Sequence, residues 1–106
     1  PYGDLKRLEL AVAMTNEPSL LLMDEPTAGM AADARGGMMD LVDVMVAERG
    51  VAVLFTEHDM DVVFGHADRV IVLDRGQIIA EGSPDEIRGD ATVRAVYLGT
   101  FDEATV

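Results

Sequence analysis

The chain contains no cysteine and only one lysine among its 106 residues. No disulfide framework holds it together, and a cysteine-free composition suits a reducing compartment. Basic residues are scarce: Lys6 and the arginines total 8 against 20 acids, for a net charge of −12. A surface for nucleic acid or an anionic bilayer needs a basic patch, so both partners are disfavoured. Long apolar runs are missing too, and none approaches the ~18 residues that cross a bilayer. There are no repeats and no low-complexity tracts. At 106 residues the chain has the length of one domain with a modest core.

What is present concentrates at two points. Leu20-Leu21-Leu22-Met23 ends in Asp24-Glu25-Pro26, an apolar run that stops at two adjacent carboxylates and a proline. Such a run suits a strand of a parallel sheet buried on both faces. Charge is costly to bury without partners, so the two acids belong at the strand tip. A hydrated Mg²⁺ beside a phosphate is a natural partner for one, and an attacking water for the other. Val51-Ala52-Val53-Leu54-Phe55 ends similarly, in Thr56-Glu57-His58-Asp59. Two buried strands ending in ionisable groups point to a nucleotide site at the carboxyl edge of an α/β sheet.

The elements between these points are readable. Residues 4–14 form a helix with Leu5, Leu8 and Val12 on one face, and Asn16-Glu17-Pro18-Ser19 breaks it. A second helix over 33–48 carries Met38, Leu41, Val42 and Met45 at i, i+3, i+4, i+7. Gly36-Gly37 weakens its start by about 1 kcal/mol per glycine relative to alanine. Gly50 suits a left-handed stop before the strand 51–55. Strand, helix, strand in this order predicts a parallel βαβ unit with a right-handed crossover. Asp59 caps a short helix over 60–64, and 70–73 and 77–80 form two strands around Asp74-Arg75-Gly76. Ser83-Pro84-Asp85-Glu86 has the form of a capping box starting a helix through Arg88. A last helix spans 91–98, and 102–106 read as a frayed tail.

These residues carry a family resemblance. Met23-Asp24-Glu25-Pro26-Thr27 resembles the Walker B motif of ABC-type ATPases, and Thr56-Glu57-His58-Asp59 their switch-histidine segment. Pro1-Tyr2-Gly3-Asp4-Leu5-Lys6-Arg7 is similar to the family signature, usually written LSGGQ and closed by a basic residue. The family's P-loop, GxxxxGK followed by Ser or Thr, is absent from these 106 residues, and its Q-loop is absent as well. The resemblance therefore implies an α/β chain with a partial P-loop NTPase fold of the ABC ATPase type. Its parallel strands and helices precede a C-terminal strand pair and short helices. Residues 1–106 correspond to the C-terminal portion of one nucleotide-binding domain, from signature to C-terminus.

The resemblance also assigns roles. Asp24 holds Mg²⁺, through water because Mg²⁺ keeps much of its hydration shell. Glu25 orients or deprotonates the water that attacks the γ-phosphate of ATP, and His58 contacts that phosphate. Tyr2, Gly3 and Asp4 read ATP held by a second ATPase subunit, in a homo- or heterodimer, at a helix N-terminus. Without a family, the acids read as a solvated pair, His58 as a neighbour of the cap Asp59, and Gly3 as a turn. His66 reads as a surface histidine, and a metal site from Glu57, His58 and His66 lacks tight ligand spacing. Thr27-Ala28-Gly29-Met30-Ala31 stands at the D-loop, where Ala31 replaces the aspartate of many relatives.

Pro1-Tyr2-Gly3-Asp4, Ala28-Gly29-Met30, Glu57-His58-Asp59-Met60 and Ala95-Val96-Tyr97-Leu98-Gly99 resemble the ATPase subunits of branched-chain amino-acid importers. Urea importers and lipopolysaccharide exporters are the neighbouring alternatives, and a short non-catalytic partner module is a third. The resemblance implies a cytoplasmic protein, peripheral on the inner face of the plasma membrane through transmembrane permease subunits. It also implies that this segment alone binds ATP weakly, lacks activity and self-associates through surface that the P-loop half covers in the family.

Overall fold

The structure, a computed structural model, describes residues 2–97. The elements are α1 (Tyr2–Met14), β1 (Leu20–Asp24), α2 (Ala32–Arg49), β2 (Ala52–Thr56), α3 (Met60–His66), β3 (Val70–Asp74), β4 (Gln77–Gly82), α4 (Pro84–Arg88) and α5 (Ala91–Val96). They fall into two compact units, Pro1–His58 and Asp59–Val106.

In the first unit β1 and β2 are parallel, in a register running from Leu20 opposite Ala52 to Asp24 opposite Thr56. A parallel pair needs a long return path, and α2 supplies it. Helix α2 ends on Gly50, whose left-handed φ of 65° is a conformation glycine adopts without a Cβ penalty. The Gly50 N–H donates to the Val46 carbonyl, and two residues later the Ala52 N–H donates to Ser19 at 2.9 Å, which opens the ladder. Met38, Met39 and Val42 are the buried face of α2, and Leu10 is buried on α1, which packs against α2. Of the expected stripe on α2, Met38 and Val42 are buried, while Leu41 and Met45 are only half-buried.

Two expectations are corrected here. The strands were read as buried on both faces, yet only alternate residues are covered. Leu21 is buried and Met23, Val53 and Phe55 are half-buried, whereas Leu20, Leu22 and Leu54 are exposed, Leu22 by 67%. Side chains on a strand alternate between faces, so two strands with helices on one side leave the other side bare. The Leu5, Leu8 and Val12 face of α1 is likewise exposed, and α1 buries Leu10 instead. An apolar stripe marks a face to be covered, and these residues do not supply its cover.

The second unit starts with Asp59, whose carboxylate accepts from the Asp61 and Val62 N–H groups and caps α3. Strands β3 and β4 form an antiparallel hairpin. Its two-residue turn, Arg75-Gly76, has φ of 49° and 78°, the doubly positive geometry that matches strand twist. The register shifts between Val72 and Leu73, where Ile78 and Ala80 oppose successive residues. Val70, Val72, Ile87 and Val93 make the core, with Phe64, Ile79 and Tyr97 against it. The Tyr97 hydroxyl donates to the Leu73 carbonyl at 2.7 Å, and the Arg88 guanidinium lies 4.7 Å over the Phe64 ring. Helix α5 starts at Ala91 as expected; Leu98 and the tail 102–106 lie outside the described residues.

Helix α4 carries the full capping box, with Ser83 Oγ accepting from the Glu86 N–H and Glu86 Oε1 accepting from the Ser83 N–H. The Ser83 backbone donor, then its side chain, hold the Glu86 carboxyl below its ordinary range, and the Arg69 charge acts the same way. A depressed carboxyl contributes stability above its unfolded titration range and loses it as pH falls through the folded value. Glu86→Gln is therefore expected to be less stable than the parent chain at pH 7. The gap should close as pH falls through the depressed range in which the folded carboxylate is protonated. Urea unfolding of both proteins between pH 7 and pH 3 checks this, and a constant gap refutes it.

Candidate functional site

The site is built where β1 and β2 end at the same edge. Their register sets Asp24 opposite Thr56, and the Thr56 hydroxyl donates to Asp24 Oδ1 at 2.6 Å. The same hydroxyl accepts from the Glu25 N–H at 3.0 Å, and the Thr56 carbonyl accepts from that N–H at 3.1 Å. One threonine thus fixes both members of the acidic pair. Glu25 sits in the left-handed region at φ 46°, which a residue with a Cβ adopts at a cost of about 1–2 kcal/mol. Strain of this kind at a polar strand tip is a common mark of a functional position.

That backbone turn brings Glu25 to the histidine. His58 Nε2 lies 2.6 Å from Glu25 Oε1, with the imidazole side chain 87% exposed and the carboxylate 39% exposed. A carboxylate and an imidazole in direct contact, both open to solvent, place a proton acceptor beside a hydrogen-bonding ring at one exposed edge. Pro26 stops the strand, and the chain then folds back through Ala28 N–H to Glu25 carbonyl and Met30 N–H to Thr27 carbonyl, both at 3.1 Å. Gly29, at φ 79°, completes these turns. Thr27 is buried to 1% exposure and its hydroxyl donates to Glu57 Oε2 at 2.8 Å. Glu57 Oε1 accepts from the His58 N–H at 3.2 Å.

The structure therefore brings Asp24, Glu25 and His58 to one edge, as their positions at two strand tips predict. It adds Thr56, Thr27 and Glu57, which the sequence reading did not single out as supports. Their signal is the register itself: Thr56 matters because it faces Asp24, and no periodicity reveals that pairing. His66 closes α3 and is half-buried, against the expectation of a surface side chain.

The residues of the signature-like segment stand elsewhere in the same unit. Tyr2, Gly3 and Asp4 form the first turn of α1, and Asp4 Oδ1 lies 4.0 Å from Arg7 Nη1. Gly3, Asp4, Arg7, Met30, Ala34 and Met38 line a cleft of about 190 Å³, which none of Asp24, Glu25 and His58 lines. A Cβ on Gly3 meets nothing within 4 Å, so no neighbour in this chain demands a glycine there. Gly37 is different: a Cβ there lies 2.8 Å from Arg7 Nη2. That atom is the tip of a flexible, half-exposed side chain, which can move aside. Ala31 precedes α2 in an extended conformation and makes no side-chain cap bond.

The strain at Glu25 has a measurable consequence. Glycine relieves a left-handed residue but adds freedom to the unfolded chain, so Glu25→Gly should leave stability unchanged or raise it by up to about 1 kcal/mol. The exposed contact with His58 is worth little and does not reverse that sign. Equilibrium denaturation checks it, and a clear loss of stability counts against the strained geometry.

Comparison with known proteins places this geometry. A family described as branched-chain amino acid ATP-binding cassette transporter matches residues 77–103. The chain is 38% identical over 98 residues to the high-affinity branched-chain amino acid transport ATP-binding protein LivG of Salmonella typhimurium, covering 92% of this chain. It is 39% identical over 100 residues to a probable LivG of Archaeoglobus fulgidus, covering 94% of this chain. The chain spans 38% of the length of each of these relatives. Among solved structures it is similar to the ADP conformation of MJ1267, an ATP-binding cassette of an ABC transporter. That match has a TM-score of 0.82 and 33% identity, over 92% of this chain and 39% of the other. The cbiO1 protein of Clostridium perfringens, part of the ABC transporter complex cbiONQ, matches with a TM-score of 0.80 and 33% identity, over 93% of this chain and 40% of the other. An α/β architecture, a parallel strand pair ending in Asp24, Glu25 and His58, and these likenesses agree: over its length the chain is similar in sequence and fold to part of the ATP-binding proteins of ABC transporters.

Proposed function

We propose that this chain is the C-terminal portion of an ATP-hydrolysing subunit of an ABC importer, and that its cargo is branched-chain amino acids. The observation that carries the hydrolytic reading is the 2.6 Å contact between Glu25 Oε1 and His58 Nε2 at the tips of two parallel strands. Glu25 accepts a proton from the water that attacks the terminal phosphate. His58 holds that phosphate and the Glu25 carboxylate in line. Asp24 offers oxygen ligands of the kind Mg²⁺ prefers, and the Thr56 hydroxyl on Oδ1 orients its carboxylate. When bound, Mg²⁺ supplies charge neutralisation at the phosphates.

Tyr2, Gly3 and Asp4, at the N-terminus of α1, face an ATP held by the P-loop of a second ATPase subunit. The P-loop of this subunit lies outside the 106 residues. The likeness to LivG supports the amino-acid assignment. No described helix is long and apolar enough to cross a membrane, and the subunit reaches the inner face of the plasma membrane through its permease.

In the complete subunit Glu25→Gln is expected to keep ATP binding while lowering hydrolysis by about 10²–10⁴-fold, the range of a lost general base. Parallel measurement of nucleotide affinity and steady-state phosphate release checks this, and turnover within a few-fold of the parent refutes the role of Glu25. The 106-residue chain alone should bind Mg-ATP at best weakly, since most phosphate affinity in such sites comes from P-loop amides and lysine. It should also self-associate, because Leu20, Leu22 and Leu54 leave an apolar sheet face uncovered. At 0.15 M salt its net charge of −12 is screened beyond ~8 Å. Light scattering at high micromolar concentration checks the assembly, and a clean monomer refutes it.

A further inference from the structure

Thr27 is the one polar side chain among the fully buried described residues. A buried hydroxyl is tolerated when its hydrogen bond is met, and here Glu57 meets it at 2.8 Å. The other oxygen of that carboxylate accepts from the His58 N–H at 3.2 Å. One carboxylate therefore ties the loop that follows Glu25 to the residue that carries the imidazole. The loop end of this link is stiff. Ala28 N–H returns to the Glu25 carbonyl at 3.1 Å, and Glu25 N–H is held by both oxygens of Thr56. Movement of Thr27 accordingly reaches Glu25 through two intervening bonds, and movement of Glu57 reaches His58 directly.

We infer that Glu57 is a positioning residue, which through Thr27 and the His58 backbone sets the separation of Glu25 from His58. The inference rests on the hydrolytic reading of that pair. Glu57 is bonded to the Thr27 hydroxyl and the His58 N–H. Its part is geometric, and a displacement of about 1 Å in a reacting group is enough to cost 10²-fold in rate.

The test uses the complete subunit and the variants Glu57→Ala, Glu57→Gln, Thr27→Val and Thr27→Ser, with the double variant Thr27→Val/Glu57→Ala. Glu57→Ala should lower kcat by about 10–100-fold while KM for ATP stays within about two-fold. Thr27→Val should lower kcat in the same sense, and the double variant should be no worse than Glu57→Ala. Glu57→Gln keeps an acceptor for Thr27 and should recover part of the loss, and Thr27→Ser should match the parent. Additive losses in the double variant, a change in KM alone, or an unchanged kcat each overturn the inference. A second readout is independent of turnover: hydrogen exchange at the His58 amide, followed by NMR, should speed up in Glu57→Ala and not in Ser83→Ala. An unchanged His58 amide overturns the inference whatever the activity. If instead the parent subunit or Glu25→Gln fails the hydrolysis test, the functional reading falls, and the exchange result still decides whether Glu57 holds His58.

Discussion

The parallel register of β1 with β2 is the constraint on which the site depends. Because Leu20 pairs with Ala52 and every later pair follows, both strands reach the same edge with Asp24 beside Thr56. Had the strands run antiparallel, the residues after Thr56 would emerge at the opposite end from Glu25. The crossover that makes them parallel is α2, and its length is set by two signals. Ala31, extended, lets the chain enter the helix, and Gly50, left-handed, lets it leave. The chemistry of the edge is thus decided by elements that carry none of it themselves.

The same architecture explains an imbalance in the first unit. Its apolar residues are numerous enough for two covered sheet faces, yet the described elements cover one. Leu20, Leu22 and Leu54 stand on the face that includes the Asp24 and Thr56 positions, and all three are exposed. Leu5, Leu8 and Val12 repeat the pattern on α1. Burial of a leucine contributes about 1.5–3 kcal/mol, so residues of this kind left in water add little to stability. Stability then rests on the buried residues Leu10, Leu21, Met30, Met38, Met39, Val42 and Val51. Methionine suits such a small core because its flexible side chain fills irregular gaps.

Much of this was legible in the sequence, for local reasons. Gly50, Asp59 and the Ser83–Glu86 box act within one helical turn, so residue types at fixed offsets are enough to place them. Strands β1 and β2 were legible because apolar runs ended in proline or in polar residues. What escaped was the consequence of incomplete neighbours. The rule that an apolar run is buried assumes that a covering layer exists, and for Leu22 it does not. Thr56, Thr27 and Glu57 escaped for another reason: their partners lie about thirty positions away and become visible only through register, in pairs such as Thr27 with Glu57. The Asp24, Glu25 and His58 edge was readable because charge at the end of a buried strand is itself unusual. Gly37 looked like a helix defect, and the structure sets only the mobile tip of the Arg7 side chain near it.

The edge also shows how stability and chemistry are traded within a few residues. Glu25 occupies a backbone conformation that favours glycine, and it keeps a carboxylate there that points to His58. Strain of that kind persists only where neighbours over-determine the backbone, and three contacts do so: two oxygens of Thr56 on the Glu25 N–H, and Ala28 on its carbonyl. The Thr56 hydroxyl is engaged twice, once by Glu25 and once by Asp24. A valine of the same shape at position 56 therefore leaves a donor and an acceptor without that partner. The turn at Glu25 keeps its two backbone bonds, to the carbonyl of residue 56 and from Ala28, and loses the side-chain one that also orients Asp24. The position whose loss most disturbs the acids is thus not acidic, and it sits on the opposite strand.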